Sequence, residues 1–208
     1  MANDLCKEKD WAKGREQDVV SWLENFQPEH REPALQLLRK IQVYSINHCQ
    51  KWCQKLHGYL PSEIRKSTNT FYGSIGSPSE SGSLVSYYYR TVNGLAADKF
   101  LDFSQITDAI NLKRRSARSL VFLDDFIGSG NQAIEFWQLL SSHLGRHADD
   151  LDFYYSAFAG YCNGRANIEK NTRFKVQVVR ELGESDKAFG VDSKVFEPFV
   201  REIAKKIL

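Results

Sequence analysis

A dominant charge and a long apolar run are both missing from this 208-residue sequence. The formal net charge is only +2, so charge does not indicate a dedicated nucleic-acid or membrane binder, although nucleic acid stays open as a partner. No run of about 18 apolar residues occurs, and we expect neither a membrane-spanning helix nor a membrane partner. The first ten residues are polar, so we expect no secretory signal peptide.

Cysteine and proline are also scarce, with four and five copies. Four cysteines without a secretory signal are typical of reduced thiols, and we expect a cytoplasmic protein. Core-forming residues are plentiful, because 42% of the sequence is hydrophobic and 12% is aromatic. A chain of this length can form one domain, or one domain with an appendage.

Residues 11–60 show the periodicity of helices. Apolar side chains recur every three or four positions in three stretches, and Gln27-Pro28 separates the first two. Ser45 is a candidate N-cap for the third helix, and Pro61 ends that helix. Together with the polar linker that follows, this pattern predicts a helical N-terminal region, residues 1–66, that acts as a cap or an interaction surface.

The third helix places two cysteines and a histidine on one face. Cys49, Cys53 and His57 are spaced four residues apart, which is compatible with a zinc site. However, both cysteines fall on the apolar stripe of the helix, where a free thiol behaves as a small hydrophobic group. Zinc ligands usually come from two separate elements, so we favour packing over metal binding.

From residue 67 onward, strand patterns alternate with helix patterns. Strands are predicted at 70–76, 119–123, 151–160 and 173–182, and helices at 83–93, 105–112 (N-cap Ser104), 130–143 and from Ser193, with one helical turn at 166–170. Polar residues recur at every second position early in the last strand, which places it near a sheet edge. The alternation predicts an α/β fold with a parallel sheet in residues 67–208, preceded by the helical extension.

The most informative stretch follows the strand at 119–123. Asp124 and Asp125 end this apolar strand, and a short glycine loop then leads into a helix. Ligand sites of α/β proteins lie at such carboxyl ends of parallel strands. The backbone N–H groups of residues 128–132 could hold a phosphate at the helix N-terminus. Because neighbouring strand residues point to opposite faces, the two carboxylates meet on one ion only if the backbone bends.

Paired acids at a strand end can bind a metal, serve as acid and base, or accept hydrogen bonds from sugar hydroxyls. A Walker A loop is excluded because no lysine follows Gly130. The dinucleotide-binding fingerprint is matched only weakly, with Ala133 in its third glycine position. A haloacid-dehalogenase-type site would have Asp-x-Asp instead of adjacent acids.

Residues 121–132 resemble the phosphoribosyl-pyrophosphate (PRPP) motif of type I phosphoribosyltransferases. That motif has four apolar residues, two acids, two apolar residues and then a loop rich in threonine and glycine. The resemblance implies that the catalytic Asp124 and Asp125 face the ribose hydroxyls. It also implies a nucleotide-binding transferase that uses ligand-bound Mg²⁺. The 5′-phosphate would be held by Gly128, Ser129, Gly130, Asn131 and Gln132, of which Gly128, Asn131 and Gln132 replace the usual threonines and small residues.

A second loop lies where the same enzymes bind pyrophosphate, after the first strand of the sheet. Its candidate ligand-binding residues are Ser77, Ser79, Ser81, Gly82 and Ser83. Glu80 replaces the basic residue that such loops often carry, and it is a third catalytic candidate, for charge stabilisation or activation of a nucleophile. An acid is unfavourable beside pyrophosphate, so either Arg90 or the basic run at 113–118 compensates, or pyrophosphate is not the ligand. That run could equally be a solvated loop.

The whole layout resembles the phosphoribosyltransferase-like domain of bacterial conflict systems, which act against phages and are in part linked to retrons. The resemblance implies an effector that binds a ribose-5-phosphate or nucleotide-type ligand and acts at the anomeric carbon. It also implies a protein partner in a defence complex, bound through the helical N-terminus. Two alternatives remain: a non-catalytic nucleotide-sensing or partner-binding module, and a purely structural α/β subunit.

Overall fold

The computed structural model describes residues 2–76 and 81–186. The chain forms two compact units, one from residues 44–182 and one that includes residues 2–43 and 183–186. The helix expected from Ser193 lies outside the described residues. Within the described ranges, no helix has both the length and the apolar character that a membrane span requires.

The N-terminal unit is helical, as the periodicity predicts. Its helices are α1 (Ala2–Glu8), α2 (Glu16–Leu23) and α3 (Arg31–Lys40), with 3-10 turns at Asp10–Ala12 and Pro28–His30. Their apolar faces enclose a small core made of Leu5, Cys6, Ala12, Val19, Leu23, Phe26, Ala34, Leu35 and Leu38. The turn that begins at Pro28 confirms the predicted interruption, because proline has no N–H to continue a helix.

The second unit is built on a parallel sheet. Its strands are β1 (Thr70–Ser74), β2 (Ser119–Ile127), β3 (Asp152–Tyr161) and β4 (Lys175–Leu182), in the spatial order β1-β2-β3-β4. All three pairings are parallel, so the carboxyl ends of the strands meet at one edge. The partly exposed β4 lies at the end of this order, which confirms the edge position predicted from its polar residues.

Helices cover both faces of this sheet. They are α4 (Ile46–Tyr59), α5 (Ser62–Lys66), α6 (Ser81–Val92), α7 (Phe103–Thr107), α8 (Ala109–Arg114), α9 (Asn131–Leu144) and α10 (Cys162–Asn171). Val121 and Leu123 of β2 pack in one core cluster with residues of α4 and α6. Leu120 and Phe122 pack in the other, with residues of α9 and α10. The period-two alternation of β2 therefore divides the core into two layers.

The direction in which strands are added reverses between β1 and β2. After β1 the chain passes through α6 to Phe100, which forms a parallel bridge with Tyr72 of β1. It then returns to form β2, which pairs with β1, and continues to β3 and β4. Right-handed crossovers in opposite directions put their helices on opposite faces, as observed for α6 and α9. The carboxyl ends of β1 and β2 form a topological switch point, where ligands of such sheets bind.

Several local predictions need correction. Asp102 caps α7, because its Oδ1 accepts a hydrogen bond from the N–H of Gln105 at 2.8 Å, and Ser104 lies inside the helix. The helix predicted at 105–112 is replaced by the two short helices α7 and α8. The single turn predicted at 166–170 belongs to the ten-residue helix α10.

The linker between the predicted regions also has structure. It contains the short helix α5. The helix α4 belongs to the second compact unit, although its periodicity groups it with the helices of the N-terminal region. The predicted cap of α4 is confirmed, since the Ser45 side chain accepts from the N–H of His48.

Candidate functional site

The central strand continues through both acids. β2 ends at Ile127 and not at Leu123, because Asp124 stays in register with Ala157 of β3 and Phe126 with Ala159. The two carboxylates therefore belong to the strand and lie on opposite faces of the sheet. The backbone bend that would bring them onto one ion is not observed.

Asp124 is buried beneath the α9 side of the sheet. It is 6% exposed, and its Oδ2 accepts a 2.6 Å hydrogen bond from the hydroxyl of Tyr155 on β3. Its Oδ1 accepts from the N–H of Asp125 at 2.8 Å. Burial raises the pKa of Asp124 to about 6, although both hydrogen bonds act in the opposite direction. Burial, followed by the adjacent carboxylate, raises the pKa of Tyr155 well above its ordinary value.

Asp125 lies on the other face, where it lines a cavity of about 330 Å³. The other lining residues are mostly apolar and aromatic: Tyr44, Cys49, Trp52, Ser81, Leu84, Val85, Tyr88, Phe126, Phe158 and Ala159. Asp125 is the one charged group among them. Three of the aromatic rings are in contact and form an aromatic wall. The ring centroid of Trp52 lies 4.5 Å from that of Tyr44 and 5.7 Å from that of Phe158. The cavity can therefore accept a flat apolar group that places an N–H or O–H donor beside the carboxylate.

The glycine loop is packed directly against α10. Gly130, the N-cap of α9, has a φ of +84°, and a Cβ atom there would lie 2.7 Å from the carbonyl oxygen of Gly164. A Cβ on Gly164 would lie only 2.0 Å from the carbonyl oxygen of Gly128. Only glycine permits this approach of backbone to backbone. The side-chain amide of Asn167 also donates to the carbonyl of Ser129 at 3.0 Å, which holds the loop in place.

The glycine loop carries hydrogen-bond donors without a partner in the described part of the chain. Ser129 is exposed, and its hydroxyl oxygen accepts from the N–H of Asn131 at 3.4 Å. The N–H groups of Ser129 and Gly130 make no hydrogen bond within residues 2–76 and 81–186. Two such donors, a hydroxyl and the N-terminus of the 14-residue α9 are the features that bind an anion.

The second predicted loop is partly helical. Ser81, Gly82 and Ser83 form the first turn of α6, whereas Ser77, Ser79 and Glu80 lie outside the described residues. A Cβ on Gly82 would lie 2.9 Å from the carbonyl oxygen of Ile75 and 3.4 Å from that of Leu123. Glycine therefore lets this turn rest on the end of β1 and on the neighbouring part of β2, at the switch point.

The basic residues expected to compensate Glu80 do not lie at this edge. The backbone N–H of Arg118 donates to the carbonyl of Asn69 at 2.9 Å, which places the run 113–118 where the strands begin. Arg90 lies in the last turn of α6, with its guanidinium 5.9 Å from the ring centre of Tyr87. Both assignments are corrected, since the carboxyl edge receives neither group.

The cysteine–histidine face of α4 is used for packing. Cys53 is fully buried, which raises its pKa to about 12, and the Nδ1 atom of His57 is 2.9 Å from the hydroxyl of Tyr89. Within the described ranges, no three residues of His, Cys, Asp and Glu gather as a metal site.

Several residues of the site carry no local sequence signal. Tyr155 and Phe158 lie on β3, about thirty positions from the acids that they contact or flank. Gly164 looks like part of an ordinary turn in the sequence. Only the register of β2 with β3 brings them together, and a predicted pairing of these two strands is the one signal that could have identified them.

Among known proteins, a family model and several solved structures are similar to this chain. The PRTase-CE family model matches residues 19–207. A search of curated proteins finds no match. Solved structures with a similar fold include the xanthine-guanine-hypoxanthine phosphoribosyltransferase of Helicobacter pylori, at 12% identity and a TM-score of 0.45 over 74% of this chain and 95% of that one. The orotate phosphoribosyltransferase from Aeropyrum pernix is similar at 8% identity and a TM-score of 0.41, over 66% and 70% of the two chains.

The family match covers most of the chain, including the PRPP-like motif, the glycine loop and all four strands. The order of these elements along a parallel sheet agrees with the fold that the motif implies. The chain therefore belongs to the PRTase-CE family and has a phosphoribosyltransferase-like α/β fold with a helical N-terminal segment.

Proposed function

We propose that this protein binds a ribose-5-phosphate or nucleotide-type ligand at the carboxyl edge of its sheet and acts at the anomeric carbon. The observation that carries the proposal is the convergence at the switch point between β1 and β2. The acid pair and the first turn of α6 lie there, since Asp125 and Ser81 line the same cavity, and the glycine loop follows at the end of β2. Ligands of sheets with this topology bind at such a point.

The 5′-phosphate is assigned to the loop at residues 128–132. The N–H groups of Ser129 and Gly130, the Ser129 hydroxyl and the N-terminus of α9 present partial positive charge together. Gly128, where an added Cβ would meet only the Phe126 ring at 3.8 Å, leaves the backbone open to a close approach. Asn131 and Gln132, which begin α9, complete the proposed phosphate site.

The two acids have different tasks in this proposal. Asp125 faces the cavity and accepts hydrogen bonds from the ribose, or contacts a Mg²⁺ ion that the ligand carries. That ion would neutralise charge on a departing pyrophosphate. Asp124 retains acceptor capacity beside its two internal hydrogen bonds, and it fixes the backbone that presents Asp125.

The reaction class is substitution or cleavage at the anomeric carbon. The bond from C1 of the ribose to its leaving group breaks with both electrons going to that group, and the acceptor forms the new bond. Nearby carboxylates stabilise the positive charge that develops on the ring. The aromatic cavity beside Asp125 has the shape and polarity for a flat leaving group or acceptor.

The remaining expectations are part of the same proposal. Pyrophosphate is assigned to Ser77, Ser79, Ser81, Gly82 and Ser83, with Glu80 as the third catalytic candidate. Because neither Arg90 nor the run 113–118 lies at this edge, the Mg²⁺ that the ligand carries would have to offset the charge of Glu80. The role of an effector in bacterial anti-phage defence rests on the resemblance alone. It predicts that expression of the protein protects cells from phage and that Asp125→Asn abolishes the protection.

One observation favours a non-catalytic nucleotide-sensing module as the second candidate. The acids are divided between two faces, and both oxygens of Asp124 are already engaged within the protein. Only one carboxylate is then fully available to the ligand. Saturable binding without any turnover of phosphoribosyl pyrophosphate or nucleotides would select this candidate.

Calorimetric titration of the full chain tests the binding site. We expect ribose-5-phosphate and phosphoribosyl pyrophosphate with Mg²⁺ to bind, and Ser129→Asp to weaken binding by about tenfold or more, since it adds a negative charge beside the phosphate. Ser142→Asp, near the opposite end of α9, is the matched control and should leave the affinity unchanged. Equal effects of the two substitutions would contradict the assignment.

A further inference from the structure

A second cavity lies at the amino edge of the sheet, where β2 and β3 begin. Its volume is about 250 Å³, and Leu112, Ala117 and Leu151 form its apolar lining. The polar lining residues are Lys113, Ser116, Arg118, His147 and Asp150. The basic run at 113–118, which the carboxyl-edge site leaves unused, therefore contributes to a concave surface.

This cavity is separate from the candidate ribose-phosphate site. Arg118 immediately precedes β2, and Asp124 lies six residues further along. At about 3.3 Å per strand residue, the two positions are roughly 20 Å apart. One small ligand cannot bridge that distance, so the two sites must be explained independently.

The amino edge has an excess of unpaired positive charge. Four cations in or beside the cavity form no ion pair within the described residues: Lys113, Arg114, Arg118 and Arg146. Two acids of the same edge already have cationic partners, because Asp149 pairs with Arg173 at 3.3 Å and Asp152 with Lys175 at 2.7 Å. Asp150 is the one carboxylate that lines the cavity.

The positive charge extends beyond the cavity to the first strand. Phe71 of β1 has the ammonium of Lys99 4.7 Å and the guanidinium of Arg115 5.8 Å from its ring centre. Neighbouring strands are about 4.8 Å apart, so cations from β1 to β3 cover roughly 10 Å. Such a row matches several successive phosphates better than a single one.

We propose that the amino edge binds the phosphate backbone of a single-stranded nucleic acid. An exposed cation gains little from one screened phosphate, but a polyanion releases condensed counterions at every contact, which favours a row of exposed cations. The apolar lining accepts one unstacked base or sugar beside the phosphates, and the cavity is far too small for a duplex. A partner of this kind is independent of chemistry at the carboxyl edge.

Fluorescence anisotropy with labelled RNA and DNA oligonucleotides of about 20 nucleotides tests the proposal on the full chain. About three phosphate contacts predict a slope near −2 in a plot of log affinity against log salt concentration. The double substitution Lys113→Glu with Arg118→Glu should weaken binding about tenfold or more at low salt. The matched control, Lys51→Glu with Lys55→Glu on α4, makes the same change in net charge and should alter the affinity by less than about twofold.

Four results would overturn the proposal: no binding at low salt, an equal loss in both double variants, displacement of the oligonucleotide by equimolar AMP, or tighter binding to anionic lipid vesicles. Displacement by AMP would indicate a site for one phosphate, and preferential vesicle binding would indicate a membrane surface. Because the four substituted residues are exposed, circular dichroism should show native folding in each variant.

Discussion

The hydroxyl of Tyr155 donates a 2.6 Å hydrogen bond to Oδ2 of Asp124, from the neighbouring strand and within the buried core. This contact fixes the first acid of the motif on the α9 side of the sheet. Its neighbour Asp125 is thereby directed to the aromatic cavity on the other side. The acid pair consequently combines a positioning group with a ligand-facing group.

Asp124→Asn should flatten the pH dependence of stability. The folded-state pKa of about 6 exceeds the ordinary value of 3.8, so the folded chain retains a proton that the unfolded chain releases. Folding stability is therefore lost as the pH rises through that window, by at most about 3 kcal/mol. Urea unfolding at about pH 4 and pH 7 should show a larger decrease for the wild-type protein than for the variant. Parallel curves for the two proteins would contradict the raised pKa.

Tyr155→Phe should shift the pH range in which stability is lost to higher pH. The hydroxyl favours the charged carboxylate, so its removal raises the pKa of Asp124 further and shifts the loss of stability to higher pH. The lost hydrogen bond should also cost about 1 kcal/mol. Tyr154→Phe is the matched control on the same strand, because Tyr154 packs in the opposite core layer. If both variants move the pH window equally, the contact between Tyr155 and Asp124 is not the cause.

Gly164→Ala should displace the phosphate loop. The added Cβ would lie 2.0 Å from the carbonyl oxygen of Gly128, so the backbone must shift, with a stability cost of about 1–3 kcal/mol. We also expect weaker binding of ribose-5-phosphate. Gly58→Ala in α4 is the control: a Cβ there meets nothing within 4 Å, and the helix should gain about 0.5–1 kcal/mol. A stable Gly164→Ala variant with full affinity would show that the loop does not need this contact.

Leu84→Trp should distinguish the role of the aromatic cavity from that of the phosphate loop. Leu84 lines the cavity and is 56% exposed, so a larger ring can narrow the entrance without overpacking the core. Turnover of phosphoribosyl pyrophosphate with an aromatic acceptor should decrease, whereas the affinity for ribose-5-phosphate should stay the same. Leu139→Trp on α9 is the control, since Leu139 is 46% exposed and does not line the cavity. A loss of ribose-5-phosphate affinity in Leu84→Trp would place the phosphate in the cavity.

The sequence predicts the parallel α/β fold because each element carries its own periodicity. It does not predict that β2 includes Asp124 and Asp125, since acids and nearby glycines favour a loop, whereas pairing with β3 continues through this segment. Serine is a favoured N-cap residue, so the sequence predicts Ser104 at the start of α7. Asp102 caps the helix because its carboxylate accepts a hydrogen bond from the N–H of Gln105.

Non-local contacts also explain why the site itself was only partly predictable. Glycine disfavours a helix, yet Gly164 lies within α10, where any side chain would collide with the loop. The aromatic residues that line the cavity include side chains from α4, α6 and β3. No spacing in the sequence indicates that these elements lie next to one another. The acid pair and the glycine loop, in contrast, are contiguous and could be found as a motif.

A crystal structure of the protein soaked with phosphoribosyl pyrophosphate and Mg²⁺ tests the central claim most directly. The account predicts the 5′-phosphate within about 3 Å of the Ser129 and Gly130 nitrogen atoms, and the ribose next to Asp125. A ligand bound only at the amino edge, or no bound ligand at saturating concentration, would contradict it.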